Sequence, residues 1–187
     1  MPESDGQLSF EQLYQEYGER VLNLAHRFTG NAEVSRDLTQ DVFLKVYQNL
    51  TSFRQASQPF TWIYRIAMNH FINHIKREKK WKWQQLLDKK VGDALLEDSQ
   101  SGEFRTSGHF ENPDKALEKA EREKIILKLI NSIPIKYRAP LVLQRYEGLS
   151  NKEIAETLSL SVSAVETRIH RAKKMLMEKL QPWIKHI

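Results

Sequence analysis

The chain contains no cysteine, which excludes disulfide scaffolds, thiolate zinc sites, iron–sulfur clusters and cysteine nucleophiles. Glycine (7) and proline (6) are scarce among 187 residues, arguing against a turn-rich β-sandwich or a glycine-built nucleotide loop. No apolar run approaches the roughly eighteen residues that cross a bilayer, and Met1 to Gln7 lacks the basic and apolar parts of a signal peptide. The expectation is a soluble cytoplasmic protein with no membrane insertion. There is no phosphate loop or nucleophile elbow, so catalysis is not expected and no cofactor is implied.

What is present is polar and helix-prone: 40% hydrophobic and 28% charged residues, enough for compact cores. The formal charge of +5 is unevenly spread. Residues 1–52 carry −4, residues 53–90 carry +7, residues 91–161 carry −2 and residues 162–187 carry +4. Two basic blocks separated by an acidic middle suit two elements facing a polyanion; two solvated helix surfaces are the plainer alternative.

Periodicity predicts helices almost everywhere. Ser9 and Gln12 form a capping box, after which Phe10, Leu13, Tyr17, Val21, Leu24 and Phe28 recur at helical spacing until Gly30. Asn31 can cap a second helix with Val34, Leu38, Val42, Val46 and Leu50 inward and Asp37, Asp41 and Lys45 outward. A third is expected from Phe60 or Thr61, with Tyr64, Met68, Phe71 and Ile75 on one stripe and Arg65, Asn69, Asn73 and Lys76 on another. Three such helices describe a small bundle.

After Trp83 the pattern fades, and about Asp88 to Asp114 has a linker composition. A second helical unit follows, with Leu117, Ile125, Ile126, Leu129 and Ile130, then Tyr137, Leu141, Val142 and Tyr146 up to Gly148. Ser150 with Glu153, and Ser163 with Glu166, read as two capping boxes opening two helices across a tight turn. Small Ala155 suits their close crossing. This is a helix-turn-helix signature, with an ordinary helical hairpin as the alternative. The last helix places Val165, Ile169, Ala172, Leu176 and Leu180 inward and Glu166, Thr167, His170, Arg171 and Lys174 outward.

His70 and His74 share a helix face and are the only spacing suggestive of a metal. No glutamate base lies between them, and two polar side chains beside a basic helix explain the pair better, so no metal site is expected. Nucleic-acid binding fits more of the chain. Lys76, Arg77, Lys79, Lys80 and Lys82 interleave with Trp81 and Trp83, and Phe53, Phe60 and Trp62 precede them. Cations neutralise phosphate while aromatics can stack on unpaired bases. For Trp62, core packing is an equal alternative.

These residues resemble a known family. Asp37-Leu-Thr-Gln40-Asp41-Val-Phe43 with Tyr47, then Phe60-Thr-Trp62-Ile-Tyr64-Arg65-Ile-Ala67 and Asn69, are similar to the second conserved region of extracytoplasmic-function (group IV) sigma factors of the bacterial primary-sigma family. Ile133-Pro134, Tyr137-Arg138, Glu147-Gly148-Leu-Ser150, Glu153-Ile154-Ala155 and Val165 to Ala172 resemble the fourth region. The resemblance implies an all-α chain of two small domains, residues 8–86 and 114–184, joined by a flexible linker over 87–113.

It further implies roles. Asp37, Gln40 and Asp41 would dock on the clamp of RNA polymerase's largest subunit, with further contact to the flap. Phe53, Phe60, Thr61, Trp62, Arg65, Asn69, Asn73, Lys76, Arg77 and Lys80 would capture and hold the melted −10 element. Ser163, Glu166, Thr167, His170, Arg171 and Lys174 would engage the −35 element. Linker residues such as Asp93, Glu97 and Asp98 would thread into the polymerase, and an anti-sigma factor is an expected partner. Asn73, Lys76 and Glu166 depart from the commonest family residues. Lys76 loses the bidentate fork of an arginine, and Glu166 can accept from cytosine N4. A stand-alone helix-turn-helix regulator is the alternative reading.

Overall fold

The structure, a computed structural model, describes residues 9–53, 58–89, 122 and 124–184. The described residues are helical, with no strand among them. Helix α1, Phe10–Thr29, starts at the Ser9 capping box: the Gln12 N–H donates to Ser9 Oγ (3.2 Å) and the Ser9 N–H to Gln12 Oε1 (3.0 Å). Gly30 ends it at φ 67°, a left-handed conformation that glycine adopts without a Cβ penalty. One residue later Asn31 opens α2, Ala32–Asn49, its Oδ1 accepting from the Glu33 and Val34 amides. A single 3-10 turn, Leu50–Ser52, precedes the loop to α3, Pro59–Lys89.

Helix α3 begins one residue before Phe60 and continues past residue 86 to Lys89, into the span expected to be linker. Its apolar stripe ends at Ile75, and residues 76–85 are exposed on every side. Over residues 76–85 helix persists on the intrinsic propensity of Lys, Glu and Gln and on a Glu78–Lys82 pair at 3.1 Å, not on burial. Periodicity could not register that extension. The linker from residue 90, Leu117 and the acidic residues Asp93, Glu97 and Asp98 lie outside the described residues.

In the C-terminal unit, α4 (residues 124–131) turns at Ile133 and Pro134 into α5, Ile135–Glu147. Gly148, at φ 69°, closes α5, and the Ser150 box opens α6, Asn151–Leu158. Ser150 Oγ and N–H both reach Glu153 Oε2, at 2.6 and 2.8 Å, which holds that carboxyl below the usual carboxylate range. The turn then passes through Ser159 at φ 54° into α7, Val162–Ile184. Here the expected cap moves: Ser161, not Ser163, accepts the Ala164 N–H at 3.2 Å, and Glu166 forms no box with Ser163. Because Ser159 completes the turn, the chain is already helical at Val162, leaving Ser163 inside the first turn.

The core extends across both units. Leu24, Val42, Ile63, Met68 and Phe71 in the bundle and Val142, Leu143, Ile154, Val165 and Ala172 in the C-terminal unit belong to one continuous buried cluster. Helices α5 and α6 pack on α3 as well as on α7. The junction is polar at its edge. Glu147, with 7% of its side chain exposed, accepts from Arg20 at 3.4 Å and from the Tyr64 hydroxyl. Arg65 donates to the Glu156 carbonyl at 3.1 Å, and Arg27 lies 3.7 Å over the Tyr146 ring. Arg138, 3% exposed, sits 5.3 Å over Phe28 while donating to the Asn131 carbonyl (3.0 Å) and side chain. Its burial lowers the guanidinium pKa to about 10, which still leaves it charged.

Candidate nucleic-acid interface

Helix α3 carries the first predicted set. Arg65, Asn69, Asn73, Lys76, Arg77 and Lys80 are all exposed, four of them cationic. Their spacing gives a continuous polar face because the opposite stripe, Tyr64, Met68, Phe71 and Ile75, is buried. At the helix start the aromatics are only half free. Phe53 and Trp62 rings lie 4.7 Å apart, and Phe60 sits 4.1 Å from Tyr64 with the Arg20 guanidinium 4.9 Å above it. Trp62 is half-buried, so it packs and presents an edge at once. Thr61 differs from expectation: at 5% exposure its side chain is interior, because Thr61 falls on the bundle-facing side of the first turn. Residues 54–57 of the capture loop lie outside the described residues.

Helix α7 carries the second set. Ser163, Glu166, Thr167, His170, Arg171 and Lys174 are exposed, while Val165, Ile169 and Ala172 are buried, as the periodicity implies. Three of the outward groups are held. Thr167 Oγ1 donates to the Ser163 carbonyl at 2.9 Å; Glu166 accepts from Asn151 at 3.4 Å, itself bonded to Gln144 at 3.1 Å; Arg171 reaches the Tyr137 hydroxyl at 3.4 Å. Gln144, Asn151, Glu166, His170 and Lys173 surround a shallow depression of about 230 Å³ beside the helix. The contacts of Asn151 and Tyr137 with α7 are not legible in the sequence, since nothing local ties either one to that helix.

The α2 row is also outward: Asp37, Gln40 and Asp41 are exposed, and Leu44 and Tyr47 continue the same face as exposed apolar groups. Tyr47 meets Phe10 edge-on at 5.4 Å, so the face has an aromatic rim shared with α1. His70 of α3 lies between two members of α2, its Nε2 3.0 Å from Asp41 Oδ2 and its Nδ1 3.2 Å from Lys45 Nζ. Among the described residues no three His, Cys, Asp or Glu side chains gather as a metal site. No helix of the described residues is long and apolar enough to cross a membrane.

Comparison with known proteins joins these faces. Residues 13–81 match Sigma-70 region 2, and residues 123–176 match Sigma-70, region 4. The RNA polymerase sigma-H factor of Pseudomonas aeruginosa is 32% identical, over 95% of this chain and 89% of its own. The ECF RNA polymerase sigma-E factor of Haemophilus influenzae is 30% identical, over 93% of this chain and 88% of its own. The chain belongs to the extracytoplasmic-function sigma factors. As such it directs RNA polymerase to promoters. The fold of this sigma factor is shared with the sigma factor RpoE of Bartonella quintana, solved in complex with the anti-sigma factor NepR. The TM-score is 0.67 at 19% identity, covering 92% of this chain and 96% of that one. Every predicted site residue falls inside one of the two matched regions: the α2 and α3 sets in region 2, the α7 set in region 4.

Proposed function

We propose that the three outward faces divide the work of promoter recognition. The row Asp37, Gln40 and Asp41 on α2 docks on the largest-subunit clamp of core polymerase, with the C-terminal unit placed against the flap. Phe53, Phe60, Trp62, Arg65, Asn69, Asn73, Lys76, Arg77 and Lys80 hold the −10 element and its melted strand. Thr61 serves this face by packing, since its side chain is interior. Ser163, Glu166, Thr167, His170, Arg171 and Lys174 face the −35 element from the major groove. The observation that carries the reading is the pairing of two separate exposed polar helix faces, both rich in cations, with region 2 and region 4 respectively.

The chemistry is binding throughout. Cations along α3 release counterions from phosphate, and aromatic rings at its start offer stacking surface to a base that leaves the duplex. Binding free energy, not nucleotide hydrolysis, then favours the melted state. Lys76 meets phosphate as a point charge, whereas Arg171 has the planar fork that can pair with guanine. We further propose an anti-sigma partner, as the Bartonella quintana sigma factor of the same fold was solved in complex with one.

Run-off transcription with core polymerase and fragmented genomic DNA tests the reading. Specific starts absent with core alone are expected, and no transcript above core alone overturns it. Asp37→Ala and Asp41→Ala should weaken core binding. Tight, specific promoter binding without core would instead favour a stand-alone regulator.

A further inference from the structure

Outside the promoter-facing sets, one cluster of polar groups lies where α3 touches the docking row of α2. There the His70 ring bridges Asp41 and Lys45, which stand one helical turn apart on α2. Lys45 carries an ammonium that can only donate, so Nδ1 of His70 must accept. The Asp41 carboxylate can only accept, so Nε2 must carry the hydrogen. The two neighbours therefore select a single neutral tautomer of the ring. The His70 side chain is largely covered (16% exposed) while that of Asp41 is mostly open (58%). A well-packed ring thus grips an exposed carboxylate that would otherwise sample several rotamers.

We propose that His70 is a positioning residue for polymerase docking, holding the Asp41 carboxylate in its binding rotamer and tying the docking row to the −10 helix. The proposal rests on the docking role of α2 given above. Its physical basis is preorganisation: a side chain ordered before association loses less entropy on binding. The arrangement is also sensitive to protons. A protonated ring would turn an N–H toward the Lys45 ammonium and lose that bond. Burial and the Lys45 charge oppose protonation, the Asp41 carboxylate favours it, and His74 on α3 adds a smaller opposing effect.

The test measures the affinity of the full chain for core polymerase. Wild type, His70→Ala, His70→Gln, Asp41→Ala and the His70→Ala/Asp41→Ala pair are compared at pH 7.5, each with a thermal melt as a fold control. His70→Ala should weaken binding about 2- to 10-fold, the worth of one hydrogen bond. It should add nothing further in the Asp41→Ala background. His70→Gln, whose amide can still donate to Asp41, should recover most of the affinity, which separates positioning from a folding defect. Weakened binding by Asp41→Ala with unchanged binding by His70→Ala, or losses that simply add, overturns this proposal alone. Wild-type affinity in Asp41→Ala overturns the docking role and the positioning role together.

Discussion

Helices α3 and α7 present comparable chemistry on their outer faces, yet the two faces stand in different states. On α7, among the described residues, the hydrogen bonds of the outward groups stay within the C-terminal unit: Thr167 to Ser163, Glu166 to Asn151, Arg171 to Tyr137. On α3 the face is crossed by the other unit. Arg65 is engaged by the Glu156 carbonyl of α6, and Phe60 lies under Arg20, which also reaches Glu147. In this packing the outer face of α7 is uncovered by the other unit, whereas the start of the α3 face is partly occupied by the first helix of the helix-turn-helix. On the division of roles proposed above, recognition of the two elements is not symmetric: the −10 side has to open before it meets DNA, and the −35 side does not.

The comparison can be broken most forcefully at the shared core. Phe71→Ala removes a fully buried ring from the bundle and should cost about 3–5 kcal/mol. If the units share one core, urea denaturation followed by circular dichroism stays a single transition at a lower midpoint. Two separated transitions would mean that the units fold independently and that the packing between them is weak. Glu147→Ala acts on the junction itself. It leaves the largely covered Tyr64 hydroxyl and the Arg20 guanidinium without their shared acceptor, at a cost of about 1–3 kcal/mol. The radius of gyration in solution scattering should rise as the units part; an unchanged radius would show that apolar contact alone holds them.

The α7 side is sharpened by Arg171→Ala. A loss of about 1–3 kcal/mol confined to one −35 position identifies base reading, and an even loss across sequences identifies a phosphate contact. Competition between promoter variants for holoenzyme distinguishes these outcomes. The smallest effect is set by pH. His26 and His70 both titrate below the ordinary imidazole value of about 6.5, chiefly because burial disfavours the charged ring, with Arg27 and Lys45 adding repulsion. The unfolded chain then takes up protons first as pH falls through about 6.5, so native stability drops below that point and is restored above it. Denaturation midpoints at pH 7.5 and 5.5 check the direction.

Local chemistry was readable from the residues alone. The Ser9 and Ser150 boxes, the Gly30 and Gly148 stops and the buried stripes of α2, α3 and α7 depend on neighbours a few positions away, and each lies where spacing puts it. The start of α7 is not legible in the sequence because serines at 159, 161 and 163 all suit a cap, and only the left-handed turn at Ser159 decides among them. The junction was invisible for a different reason. Arg20 and Glu147 are 127 positions apart, and no periodicity connects an arginine on α1 with the last residue of α5. The same holds for His70, which reads as half of a weak metal pair until α2 is packed beside it.

Arg138 gives the junction a history as well as a geometry. Its guanidinium stacks on Phe28, a residue made more than a hundred positions earlier, while its hydrogen bonds go to Asn131 beside it. During synthesis the bundle through Lys89 emerges before α5 exists, and at about 5–20 residues per second the gap lasts on the order of seconds. For that interval the nascent bundle carries the surface that later receives α5 and α6 without its cover. Seconds are ample for diffusive encounter in a crowded cell, so the first occupant of that surface need not be the rest of the chain.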